Sequence, residues 1–334
     1  MWAVVNESPF EVDRTWVRDV DGRHQFIVAV RATYEVDAQG RLRVAETQLP
    51  PALEPDYQGE DGASSLRWDL ELGPLKPSTD VVVNGHAYAP NRPVEEVAVS
   101  LRIDDQQKVL NVRGENVYYA GVAGLTTTTP RPFERMPIVY ERAFGGHDTT
   151  DPDQSKHRLD PRNPVGVGFA TRSAHLVDTP APNILYPGQN ASKVGPAGFG
   201  ALCSFWSPRL ELGGTYDARW VETRKPLLPE DYDPRATLCS PRDQQPGRYL
   251  GGGTRFELVH LTPDRHLSFE LPPTTISTTS FFGSKARPAP ARVTTVIIEP
   301  DDRRVLVVWQ SSLPVAAADL DYLDVVNVEA RNPE

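Results

Sequence analysis

HQFIVAVRATYEV, residues His24–Val36, is the stretch on which the fold turns. It is rich in β-branched and aromatic residues, and apolar and polar positions nearly alternate from Val28 to Tyr34. A period of two sends successive side chains to opposite faces of a pleated strand, so the segment reads as strand and not helix. Asp21-Gly22 lies just before it. That dipeptide is a hairpin signal, because glycine takes positive φ freely, and it folds residues 15–20 back onto the strand. A second turn at residues 38–40 leads into 41–46.

Working outward, the same pattern recurs. Residues 65–72 (SLRWDLEL), 94–103 (VEEVAVSLRI) and 108–113 (KVLNVR) alternate, and residues 81–87 (VVVNGHA) read as a central strand entered after a turn at Pro77. Toward the C-terminus come 255–261, 267–271 and a hairpin of 292–299 with 304–310 around Pro300-Asp301-Asp302. A weakly alternating tail, 321–329, suits an edge strand. No useful amphipathic helix appears in the first third. The expected fold is mainly β: antiparallel sheets in a sandwich-like scaffold, with little helix.

Residues 132–252 break this regularity. The chain carries 32 Pro and 24 Gly, and proline is excluded from helix interiors and central strands. Linkers are polar and poor in aromatics, whereas this region holds Phe133, Tyr140, Phe144, Phe169, Phe199, Phe205, Trp206, Tyr216, Trp220 and Tyr232. It reads as an ordered, loop-built surface, with an acidic mobile loop at 147–158 and a short helix at 215–223. The expected organisation is an N-terminal β region (1–125), this central region (126–253) and C-terminal strands (254–334) packing on the N-terminal sheet.

The charge balance narrows the function. The formal net charge is −10, and no basic stripe of the kind nucleic-acid binding requires is present. The first residues lack a basic segment followed by an apolar run, so no secretory signal is expected. No apolar run approaches the roughly 18 residues of a membrane span, and the expected location is the cytoplasm. Cys203 and Cys239 read as free buried thiols in that reducing compartment, with a bond between them as the alternative. The seven His are scattered without the paired spacing of a metal site.

Catalytic patterns are weak. Gly251-Gly252-Gly253 precedes a strand, and Gly166 and Gly168 do not open a helix, so neither aims a helix N-terminus at a phosphate. No Gly-x-Ser-x-Gly elbow exists, and no cofactor is expected. Glu141, Asp160, Asp217, Asp231 and Asp233 have the chemistry for acid–base hydrolysis of a glycan. Each also lies within a few residues of Arg142, Arg162, Arg219 or Arg235, and arginine–carboxylate forks are natural braces for loops without sheet bonding. Interface centres are enriched in Tyr, Trp, Phe and Arg. The candidate partner-binding residues are therefore Tyr140, Arg142, Phe144, Arg162, Phe169, Trp206, Arg209, Tyr216 and Trp220.

Six blocks carry a family resemblance: KPSTDVVVNGHAYAP from Lys76, FERMPIVYERAFGG from Phe133, DPRNPVGVGF from Asp160, GPAGFG from Gly195, WSPRLELGGTYDARW from Trp206 and PLLPEDYDPR from Pro226. Together, over about residues 14–272, they resemble the bacterial domain-of-unknown-function family twenty-one sixty-nine, the type VI secretion accessory proteins. The resemblance implies an adaptor or chaperone, encoded beside a spike protein of the valine-glycine-repeat type and a toxic effector, that loads the effector onto the spike. It carries over no catalytic residues. The expected partners are thus a cognate secreted effector and the spike, with nucleic acid and membrane excluded. The alternatives are a carboxylate-dependent glycan hydrolase and a structural part of the secretion apparatus. The acidic net charge suits a basic partner segment.

Overall fold

The computed structural model describes residues 3–122 and 124–332. His24–Val36 lies at the heart of the largest sheet. Glu11–Arg18 pairs with it on one side and Arg304–Val315 on the other, both antiparallel. Leu42–Val44 returns onto its end. The turn between the first two strands closes with Gly22 N–H donating to Asp19 O, at a Gly22 φ of +79°. Arg292–Glu299 follows as the hairpin partner of Arg304–Val315.

The stretch 81–87 is not one central strand. Asp80–Val83 ends the sheet and pairs parallel with Arg292–Glu299, while His86–Tyr88 pairs separately with Arg135–Pro137. Gly85 sits at the break. A Cβ there would stand 2.9 Å from the Pro300 ring, so the chain must pass close at that point. All four residues Asp80–Val83 are nevertheless buried. Their outer edge is covered by the central region: Val83 N–H donates to Phe199 O (3.0 Å) and Gln244 Nε2 to Val81 O (2.6 Å). A sheet edge is thereby closed to unwanted pairing.

A second sheet is antiparallel and runs Ile184–Leu185, Gln106–Arg113, Glu96–Ile103, Arg255–Val259, His266–Glu270. A third runs Ala3–Asn6, Leu323–Arg331, Thr275–Phe282, Lys285–Pro290. The tail is therefore an interior strand and not an edge, because Ala3–Asn6 pairs with it in parallel. Thr275–Phe282 escapes the sequence reading because hydroxyl residues fill much of its buried face. Pro288 and Pro290 in Lys285–Pro290 suit the sheet edge that strand occupies.

The architecture is mainly β with antiparallel sheets, as the periodicity predicts. One buried cluster joins all three sheets, from Val28 and Val30 through Val99 and Leu101 to Val326. The α-helices are single turns or little more: Ala191–Val194, Arg209–Leu212 and Ala218–Thr223. Asp217 caps the last, accepting from Trp220 N. The 147–158 loop is closed by a short ladder between His147–Asp148 and Arg158–Leu159. Among the described residues no helix is long and apolar enough to cross a membrane.

Candidate functional site: an arginine-rimmed cleft

The central region has few sheet bonds of its own, so buried polar contacts fasten it to the scaffold. Asp80, on the main sheet, accepts from Lys76 Nζ (2.7 Å), Cys239 N (2.8 Å), Ser240 N (3.0 Å) and Ser240 Oγ (2.6 Å). Burial works against both charges, but the pairing outweighs it. Asp80 is held below the usual carboxylate range and Lys76 above the usual lysine range. Arg209 is buried too. It pairs with Asp69 (2.8 Å) and donates to Leu202 O and Ala236 O. Cys203 and Cys239 are free and buried.

Tyr140 opens a 3₁₀ turn, Tyr140–Arg142, and is buried edge-on against Trp206, with ring centroids 5.7 Å apart. Its hydroxyl donates to Gly200 O (3.1 Å). Gly198 gives the ring its place, since a Cβ at that position would lie 2.8 Å from a ring carbon. Asn163 Nδ2 joins two loops by donating to Tyr140 O (2.8 Å) and Phe144 O (3.0 Å). Gly145, at φ +151°, lets the chain pass Asn163, whose carbonyl oxygen would stand 2.1 Å from a Cβ. Arg162 forks onto Asp160 through Nε (2.9 Å) and Nη2 (2.6 Å), with its guanidinium 5.8 Å from the centre of the Phe144 ring.

These pieces border a cleft of about 590 Å³. Val194, Pro196, Leu202, Pro208, Leu212 and Leu238 supply its apolar lining, and Arg162, Arg209, Arg235 and Arg242 its positive charge. Asp243 also faces it, with both carboxylate oxygens engaged by Lys108 Nζ (2.8 Å) and Tyr186 Oη (2.9 Å). Lys108 is buried beside the Phe199 and Tyr186 rings, 5.4 and 5.6 Å from their centres. Burial pulls its pKa down to about 8, with Asp243 opposing. A larger groove, about 890 Å³, lies between residues 39–42 and the strands Arg255–Val259 and His266–Glu270. Its charges are largely matched within the wall, by Arg255–Glu270 (2.6 Å) and Arg102–Glu257 (3.3 Å). The smaller cleft joins apolar surface to arginines with spare donors, which is the composition of a recognition site.

A family model described as "Uncharacterized protein conserved in bacteria (DUF2169)" matches residues 21–310. The chain belongs to the DUF2169 family. Neither the curated proteins nor the solved structures contain a match to it. The DUF2169 match begins later than residue 14 and runs past residue 272, taking in Arg292–Glu299 and most of Arg304–Val315. The whole cleft lies within it.

Of the nine residues singled out from the sequence, Tyr140, Arg162 and Arg209 line the cleft. Trp206 and Phe144 are buried behind Tyr140 and under Arg162, so they shape the wall without facing solvent. Arg142 turns to a neighbouring groove, where it meets Asn183 Oδ1 (3.2 Å) and Glu115 (3.5 Å). Phe169 is half-buried beside Gly145, to whose carbonyl its N–H donates. Tyr216 and Trp220 meet edge to face away from the cleft, with ring centroids 4.8 Å apart and Tyr216 57 % exposed. The sequence reading missed Leu212, Leu238, Arg242, Asp243 and Tyr186 as cleft residues. Only Arg242-Asp243 had a visible signal, a charged pair inside an ordered loop.

The five carboxylates weighed for hydrolysis are all engaged. Asp160 and Asp233 hold Arg162 and Arg235. Glu141 accepts from Ser65 N (2.7 Å) and Oγ (2.8 Å) and not from Arg142. Asp217 caps a helix, and Asp231 accepts from Thr215 N and Oγ1. Among the described residues no group of three or more His, Cys, Asp or Glu is placed to hold a metal ion.

Proposed function

We propose that the protein is a non-catalytic adaptor that holds a secreted effector and helps load it onto a type VI secretion spike protein of the valine-glycine-repeat type. The observation that carries the reading is the cleft: apolar walls, arginines at its border, and a lining carboxylate already bonded on both oxygens. Such a surface suits gripping another protein chain more than moving protons, because proton transfer needs a titratable group free to reach its substrate. The resemblance of six sequence blocks to the secretion accessory proteins supports the context.

The test joins genetics to the cleft. Deleting the gene should leave one neighbouring effector unstable or undelivered, and a Leu212→Asp chain should fail to restore it or to co-purify with it. Unchanged effector level, loading and delivery after deletion would end the adaptor reading.

A further inference from the structure

The border of the cleft has arginine hydrogen-bond donors to spare. Arg162 commits Nε and Nη2 to Asp160, with Nη2 also reaching Ser192 O, and among the described residues Nη1 has no partner. Gly195, at φ +89°, keeps that nitrogen uncrowded, since a Cβ there would lie 3.1 Å from it. Arg235 commits Nε and Nη2 to Asp233 and likewise leaves Nη1. Arg242 is exposed and has no side-chain partner among the described residues. Asp243, the carboxylate in the lining, already accepts from Lys108 and Tyr186, one on each oxygen.

We infer that the cleft takes an acidic, extended segment of the partner protein. Aspartate or glutamate carboxylates of that segment meet Arg162, Arg235 and Arg242, while an aliphatic or proline side chain rests on Val194, Pro196 and Leu212. The inference rests on the adaptor reading of the same cleft and names the chemistry of what it holds. A planar guanidinium with unused N–H groups pairs a carboxylate in fixed geometry. A bare phosphate would meet the arginines equally well but leave the apolar lining unused. The sign is opposite to what the net charge of −10 suggests. Net charge acts at a distance and is screened beyond about 8 Å at physiological salt. Contact is decided by the groups at the rim.

The test uses the full chain and two synthetic peptides with the same leucines and prolines, one flanked by glutamates and the other by lysines. The acidic peptide should bind about tenfold more tightly or better, a difference of about 1.4 kcal/mol, and should weaken as salt rises. Arg235→Glu with Arg242→Glu should remove the preference, and both positions are exposed enough for the fold to survive, which a thermal melt checks. Tighter binding of the basic peptide, no response to the charge reversal, or no binding of either peptide would each overturn the inference. Displacement of the acidic peptide by inorganic phosphate at equal concentration would overturn it in favour of a phosphoryl ligand. If the charge preference fails while Leu212→Asp still abolishes effector co-purification, the adaptor cleft stands and only its chemistry is wrong. If Leu212→Asp also has no effect, the cleft is not the site.

Discussion

Replacing Asp80 by alanine removes one carboxylate and strands four donors. Lys76 and Asp80 side chains are 5 % and 0 % exposed, so the ammonium left behind stays buried with only the weak acceptor Cys239 Sγ, 3.9 Å away. Breaking a buried pair in this way costs about 3–5 kcal/mol. Cys239 N, Ser240 N and Ser240 Oγ lose their acceptor as well, each unsatisfied group adding up to about 1–3 kcal/mol before water enters. Against a typical total of about 5–15 kcal/mol, Asp80→Ala should remove a large share of the stability. Lys76→Met should cost less, because Asp80 would keep its three donors from Cys239 and Ser240. The double variant should be more stable than Asp80→Ala alone, since the stranded charge is gone. Folded-state Asp80 sits below 3.8, so its contribution is present above that pH and lost as pH falls through the folded value. Folded-state Lys76 sits above 10.5, so its contribution is present below that pH and lost as pH rises through the folded value. Urea unfolding, read as midpoint and slope, measures all of this. A loss under about 1 kcal/mol for Asp80→Ala, well below that expected range, or a double variant no better than the single, would refute the reasoning.

Gly145→Ala should destabilise more than Gly62→Ala. Both have positive φ, but a Cβ at 145 meets the Asn163 carbonyl at 2.1 Å while one at 62 meets nothing within 4 Å. The backbone term is about 1–3 kcal/mol, so thermal melts that rank the two variants equally would contradict the close approach. Lys108, depressed by burial to about 8, holds its proton less tightly folded than unfolded. Stability should therefore rise as pH climbs from about 8 toward 10.5, by at most about 3 kcal/mol, and Lys108→Met should lack that rise in unfolding curves taken across the range. Burial pushes the Cys203 thiol up to about 12 and raises Cys239 as well. Iodoacetamide should label neither in the native protein and both after denaturation, as intact mass reports.

The β character of this protein was written locally. His24–Val36 and the hairpin of Arg292–Glu299 with Arg304–Val315 announce themselves by alternation and turn residues, and those signals need only neighbours in sequence. The two-residue braces, Arg162 on Asp160 and Arg235 on Asp233, are equally local and equally legible. Tertiary structure decided the rest. Ala3–Asn6 finds Leu323–Arg331, Asp80–Val83 lies parallel to Arg292–Glu299, and Arg209 reaches Asp69. Glu141 turns from its neighbour Arg142 to Ser65. Periodicity says which face of a strand is apolar, but not which strand lies beside it. A buried charge takes whichever partner the folded chain brings within reach, because leaving it unpaired costs several kcal/mol. The cleft is likewise a product of the tertiary structure: Tyr140, Arg162, Leu212 and Arg242 are scattered in sequence, and long-range packing sets them around one space.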